Sequence, residues 1–205
     1  PAAKSTLNLV AINNKPQAMG RYPNADAANG GYLSYETFTG TNSITDNELP
    51  ASPNWTGAEV VVRKVMWITE RCKITSHSGT TIKFTDVSGY DGTVGYGYFI
   101  QDDARTLDKF GEWYLNKSTK VLQMYFGTAS PSSYSIKAGT VDTLISITSR
   151  SYININNIDF EGANGDAISS LNSSYINIQN CNLTNAGEDG INATGANNFL
   201  IENFN

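Results

Sequence analysis

Residues 151–205 read SYININNIDFEGANGDAISSLNSSYINIQNCNLTNAGEDGINATGANNFLIENFN, and they repeat with a period of 23. Tyr152-Ile153-Asn154-Ile155-Asn156-Asn157-Ile158-Asp159-Phe160 lies over Tyr175-Ile176-Asn177-Ile178-Gln179-Asn180-Cys181-Asn182-Leu183. That lies in turn over Asn198-Phe199-Leu200-Ile201-Glu202-Asn203-Phe204-Asn205. A second column runs beside it: Thr143-Leu144-Ile145-Ser146, Asp166-Ala167-Ile168-Ser169 and Asp189-Gly190-Ile191-Asn192. No alignment needs a gap. A fixed period of this size belongs to stacked architectures, in which one repeat cannot bury its own apolar face. Within each repeat the apolar residues come at spacing two, which is strand periodicity. Each repeat therefore reads as one coil of short strands joined by turns. Equivalent residues should stack about 4.8 Å apart on neighbouring coils, as a parallel β-helix requires. The Asn157, Asn180 and Asn203 column should form an amide ladder from coil to coil.

Charge separates the two parts of the chain. After Arg150 there is no Lys or Arg, but there are six acids: Asp159, Glu161, Asp166, Glu188, Asp189 and Glu202. The first 150 residues are near balance, with 14 basic and 13 acidic side chains. An acidic coil region argues against nucleic acid, anionic membrane surfaces and polyanionic polysaccharide as partners there. The chain contains no apolar run long enough for a membrane span, and no signal peptide. It begins at Pro1 and ends inside a repeat strand, so a piece of a longer protein is expected. An uncapped last coil predicts self-association or pairing with another chain. Cys181 takes the place of Ile158 and Phe204 in the repeat, so a buried thiol is expected there. A disulfide with Cys72 is the less favoured alternative.

Upstream, residues 7–12 alternate like a strand, and Asn13-Asn14-Lys15-Pro16 reads as a turn. Residues 25–57 read as loop with one strand near Tyr32–Phe38. Ala58 to Ile68 is one long β-forming run. Residues 71–75 and 80–85 form a hairpin closed by Ser76-His77-Ser78-Gly79. Ser88 to Tyr98 is a Gly/Tyr-rich loop, and a short helical piece falls near Asp102 to Leu107. Gly111–Lys117 and Val121–Phe126 form a second hairpin. The expected division is a β-rich accessory domain over 1–139 and coils over 140–205.

Two segments carry a family resemblance. Asn13-Asn14-Lys15-Pro16 with Arg21-Tyr22-Pro23-Asn24 resembles a segment of extracellular β-helix (pectin-lyase-like) carbohydrate-active enzymes. Phe110-Gly111-Glu112-Trp113-Tyr114-Leu115-Asn116 with Val121-Leu122 resembles a hairpin of the same enzymes. The layout is similar to β-helix glycoside hydrolases, β-xylosidase-like and fucosidase-like members among them, with a β-sandwich-like domain inserted between coils. The resemblance implies an all-β chain: a sandwich-like accessory domain followed by a truncated right-handed parallel β-helix. It implies a secreted, extracellular or cell-surface hydrolase of plant or algal polysaccharide. The alternatives are a non-catalytic carbohydrate-binding or adhesion module, and a polysaccharide lyase. The lyase ranks below the hydrolase because the coils offer only Arg150 as a base.

The candidate catalytic residues are Asp166 and Asp189, one coil apart in a single column, with Glu188 beside the latter. Stacking at about 4.8 Å approaches the ~5–5.5 Å separation of a retaining glycosidase pair. Two close carboxylates also drive their pKa values apart. The same residues suit turn chemistry, in which Asp bonds backbone ahead of a strand. Tyr90, Tyr96, Tyr98 and Trp55 are candidates for stacking on sugar rings. Glu112, Trp113 and Tyr114 are expected to hold their hairpin to the coils. His77 is expected as a solvated turn residue. No cofactor is expected. Ca²⁺ is the one ion admitted, at Asp102, Asp103 and Asp108, although these lack calcium-loop spacing.

Overall fold

The computed structural model describes residues 6–205, and it is all-β apart from three short turns of helix (28–31, 104–106 and 131–133). Among the described residues no helix is long and apolar enough to cross a membrane. The chain divides into two compact units: one holds the residues before 19, 117–121 and 128–205, the other 19–116 and 122–127. This is not the division at 139/140. The reason is strand pairing: Val10–Ile12 runs antiparallel to both Lys15–Gln17 and Ile136–Ala138. Asn13 and Asn14, at φ 50° and 64°, make the two-residue turn between the first pair, the conformation that Asn accepts most readily after Gly.

Within the first unit, successive 23-residue turns of chain stack in parallel register. Sheet 1 pairs Ile145–Thr148 with Ile168–Leu171, and that with Ile191–Thr194. Sheet 2 stacks Ser151–Asn156, the first part of Ser174–Ala186, and Asn197–Phe204. Sheet 3 pairs Asp159–Ala163 with the last part of Ser174–Ala186. The register follows the sequence period without slip: Ile145, Ile168 and Ile191 align, as do Ile153, Ile176 and Phe199. The inward residues make one core of Ile147, Ile155, Phe160, Ile168, Ile176, Ile178 and Cys181. Each fully buried aliphatic side chain there contributes about 1.5–3 kcal/mol.

Each coil turns its corners with residues in the left-handed region. They fall in four columns: Ser149/Asn172/Gly195, Tyr152/Tyr175/Asn198, Asn157/Asn180/Asn203 and Gly162/Asn185. Outward amides link the coils. Asn177 Nδ2 donates to Asn154 Oδ1 (2.8 Å), and Asn182 Nδ2 donates to Asp159 Oδ1 (2.6 Å). The expected Asn157 ladder forms only in part. Asn203 donates to Asn180 (3.0 Å), but Asn180 donates to Asn156 Oδ1 (2.9 Å) rather than to Asn157. Asn180→Ala removes two amide bonds and puts a residue that lacks Asn's tolerance of the left-handed region in a bend at φ 52°, at an expected cost of about 1–2 kcal/mol. Asn180→Gly keeps the bend and should recover the backbone share. Urea midpoints of the two variants separate the contributions.

The second unit is built on one eight-stranded antiparallel sheet, ordered 21–22, 97–101, 59–65, 68–78, 81–84, 43–45 and 37–39, with 33–34 also on 97–101. It is a single connected sheet rather than two. Ile68–Ser78 pairs with Glu59–Val65 over its first half and with Thr81–Phe84 over its second. The long run from Ala58 to Ile68 is broken by a turn at Met66 and Trp67. The first turn residue after Ile68–Ser78 is Gly79, later than the sequence suggests. One face collects Val60, Val62, Ile74, Ile82, Phe84, Tyr98 and Ile100. Trp113–Asn116 and Val121–Met124 form the expected hairpin.

Both cysteines are free and buried. Burial, and then the neighbouring Glu70 carboxylate, push the Cys72 thiol up to about 12. Neither thiol should react with Ellman's reagent at pH 8 in the native protein, because a thiol attacks as the exposed thiolate. Both should react in denaturant.

Candidate functional site

The carboxylate cluster sits where the chain leaves sheet 3 for sheet 1. The parallel ladder extends into this turn: Ala167 N donates to Asp189 O (3.0 Å) and Ile168 N to Gly190 O (3.1 Å). Asp166 and Asp189 therefore stand side by side on neighbouring coils. The half-buried Asp166 carboxylate accepts from Asp189 N through Oδ1 at 3.2 Å. The Asp189 carboxylate is exposed and has no side-chain partner among the described residues. Asp166 is thus oriented and Asp189 is free.

Glu188 is placed differently. Its Oε1 accepts from Asn8 Nδ2 at 2.9 Å. Asn8 N donates to Asn164 Oδ1 (2.8 Å), and Asn164 Nδ2 donates to Asp142 Oδ1 (2.9 Å). Gly187 admits this close packing, because a Cβ there would collide with the Asn164 carbonyl. Asn8, Asn164, Asp142 and Glu188 thus form a polar strap that fastens the segment before Val10 to two coils. Sequence reasoning missed Asn8 and Asn164. The 23-residue period, which puts Asp142, Gly165 and Glu188 in one column, was the available signal for the strap.

The four aromatic candidates separate by burial. Trp55 is only 2% exposed and stacks on Tyr22 with ring centroids 5.5 Å apart. Tyr98 is 0% exposed, and its hydroxyl donates to the buried Asp46 carboxylate at 2.8 Å. Neither presents a face to a sugar: both are core residues, because Tyr98 lies in Gly97–Gln101 and not in a loop. Burial pushes the Tyr98 hydroxyl far above its ordinary value, with the Asp46 charge adding to it. Burial likewise raises the Asp46 carboxyl against the opposing Glu48 amide and Tyr98 hydroxyl. Tyr96 is half-buried beneath the Arg63 guanidinium (5.1 Å) and lines a recess of about 370 Å³ with Tyr32 and Arg63. Tyr90 is exposed, edge-on to Trp67 with centroids 6.4 Å apart.

His77 is buried and not solvated. Its Nδ1 accepts from Trp55 N (3.1 Å), and its Nε2 lies 3.0 Å from Gly79 O. It sits within a strand, on the buried side. Asp103 caps the 104–106 turn through Arg105 N, and its carboxylate also pairs with the Arg105 side chain. Asp108 accepts from Asn24 Nδ2 (2.9 Å). Glu112 accepts from the amides of Asp108 and Lys109 (both 2.9 Å), which holds the turn before its hairpin. Among the described residues no group of three His, Cys, Asp or Glu side chains is placed to hold a metal ion.

No family model matches the chain, and no curated protein does. Among solved structures it is similar to one described as a glycoside hydrolase, at a TM-score of 0.58 and 12% identity. That likeness spans 86% of this chain but 46% of the other, so the chain corresponds to less than half of that protein. A tailspike protein from Pseudomonas phage LKA1 overlaps 93% of the chain and 29% of its own length at 12% identity and a TM-score of 0.24. At this identity the glycoside hydrolase is a likeness of fold.

Proposed function

We propose that the chain is part of a secreted glycoside hydrolase acting on plant or algal polysaccharide, with Asp166 and Asp189 as its carboxylate pair. In this reading the stacked turns belong to a right-handed parallel β-helix, and residues 19–116 and 122–127 are an inserted accessory unit. The observation that carries the proposal is the register that brings Asp166 against Asp189, with one carboxylate oriented and the other free. The bond from Asp189 N fixes the Asp166 carboxylate in place, which suits Asp166 as nucleophile. Asp189 is the acid. Asp166 then bonds to the anomeric carbon as the glycosidic C–O bond breaks, and the Asp189 proton goes to the leaving oxygen. Water releases the sugar from Asp166 in a second step, with Asp189 taking the water's proton.

A second reading, a binding module without catalysis, is favoured by the Glu188–Asn8 bond and by the use of Asp166 to join two coils. Sugar release from a panel of plant and algal polysaccharides, by the protein and by Asp166→Asn and Asp189→Asn, decides between them. Loss in both variants with folding intact supports the hydrolase. Release kept in both moves the chemistry elsewhere, and no release by any form leaves the module.

A further inference from the structure

Of the four columns of left-handed bends, three hold only Asn, Gly or Ser. The fourth holds Tyr152 at φ 62° and Tyr175 at φ 56°, then Asn198 at φ 53°. A bulky side chain is disfavoured in this region, whereas Asn and Gly enter it at little cost. A residue kept there against its backbone preference points to a use for its side chain. The two rings lie parallel, with centroids 4.7 Å apart and 7° between planes. They are not a core feature, since Tyr152 is 76% and Tyr175 47% exposed. At Asn198 the ring column stops, and an open recess of about 460 Å³ is bounded by Tyr152, Tyr175, Asn154, Asn177, Asn198 and Leu200 among others. Asn177 Nδ2 is used on Asn154 Oδ1. The other half of each amide, Asn154 Nδ2 and Asn177 Oδ1, has no side-chain partner among the described residues, so a donor and an acceptor face outward beside the rings.

We infer that this recess is a glycan-binding subsite, in which a sugar ring of a neutral polysaccharide stacks on Tyr175 in the place a third tyrosine would occupy. A flat aromatic face suits the C–H face of a pyranose, and the two free amide groups suit its hydroxyls, one as donor and one as acceptor. The occupant is neutral because the coils carry Asp159, Glu161, Asp166, Glu188, Asp189 and Glu202 with no Lys or Arg after Arg150. A polyuronate or a sulfated chain would meet that charge unpaired. The inference rests on the carbohydrate reading for the class of ligand, but not on the carboxylates.

The test is affinity electrophoresis and titration calorimetry of the protein with neutral xylan, mixed-linkage β-glucan and galactan, and with polygalacturonate. The variant is Tyr175→Asn, alone and with Tyr152→Asn. Asn already occupies this bend at 198, so the backbone keeps its conformation. The expected result is binding to at least one neutral polymer, weakened at least tenfold in Tyr175→Asn, with a melting temperature no lower than that of the parent. Binding unchanged in the double variant, or a fall in melting temperature with binding kept, would make the ring pair a stabilising stack and overturn the inference. Binding to none of the neutral polymers, or equal binding to polygalacturonate, would also overturn it. The recess is lined without Asp166 or Asp189 and binding is read without turnover, so a failure of the hydrolase reading and a failure of this one remain distinguishable.

Discussion

Asp189→Asn is expected to lower sugar release about 10³-fold, within the 10²–10⁴ range of a lost general acid. The melting temperature should stay unchanged, because the Asp189 side chain carries no bond that holds the turn. Asp166→Asn should lose as much activity, for a different reason. Its amide oxygen can still accept from Asp189 N, so the coil stays joined while the nucleophile is gone. The two roles separate in Asp166→Ala, where added azide can attack the anomeric carbon in place of the carboxylate. The rate should partly recover, with a glycosyl azide as product. Glu188→Ala is the control. It breaks the bond to Asn8 and should cost about 0.5–1.5 kcal/mol of stability, with the rate kept within a few-fold. If instead Glu188→Ala abolished release and Asp189→Asn did not, the acid would be Glu188, and the strap around Asn8 would belong to the site.

The stacked coils were legible in the sequence because their cause is periodic. The apolar face repeats at spacing two within a coil and at 23 between coils, and the sheet register copies both. What escaped was decided by single residues against their local setting. His77 sits in a turn-like Ser-His-Ser-Gly string, yet the strand continues through it, and a β-bulge between Ile74 and Ser76 shifts the alternation so that His77 faces the buried side, where it accepts from Trp55 N. Tyr98 belongs by composition to a Gly/Tyr loop, but Gly97–Gln101 joins the sheet and puts its ring in the core. The compact units differ from a division at 139/140 because Val10–Ile12 finds its second partner at Ile136–Ala138, a pairing across more than a hundred residues that no local pattern announces. Tyr152 and Tyr175 were visible as aligned letters. Only the φ angles show that they occupy a bend column that belongs to Asn.

Lys64→Met is expected to destabilise the protein by about 3–5 kcal/mol, the cost of leaving a buried charge without its partner. Lys64 follows Val60 and Val62 at spacing two, on the buried face of Glu59–Val65, and its side chain is 0% exposed. Its Nζ lies 3.1 Å from Glu70, which is 5% exposed, and 2.8 Å from Asp86, which is 30% exposed. Burial alone would lower the Lys64 pKa, but the bonds to Asp86 and Glu70 outweigh it and raise the group. Burial would also raise Glu70, and the bonds it accepts bring it below its ordinary value instead. Asp86 falls from 3.8 to about 2, first through Lys64 and then through Thr41 and the Gly89 amide. For both carboxylates the folded value is the lower one, so their contribution is full above the unfolded pKa and is lost as pH falls through the folded pKa. The parent should therefore lose melting temperature between about pH 4 and pH 2, and Lys64→Met should lose less over that window. Lys64 has the opposite sign: its contribution is complete below 10.5 and is lost as pH rises past its raised folded value. Adding Glu70→Gln to Lys64→Met removes the stranded charge and should recover part of the loss, a coupling that a double-mutant cycle reads directly. The cluster matters beyond stability because it shapes the loop that carries Tyr90 and Tyr96. Gly89 N donates to Asp86 Oδ1 (3.0 Å), and Thr93 N donates to Lys64 O (2.8 Å). A loss below about 1 kcal/mol in Lys64→Met would place the triad with ordinary surface pairs and would leave that loop to be held by its backbone bonds.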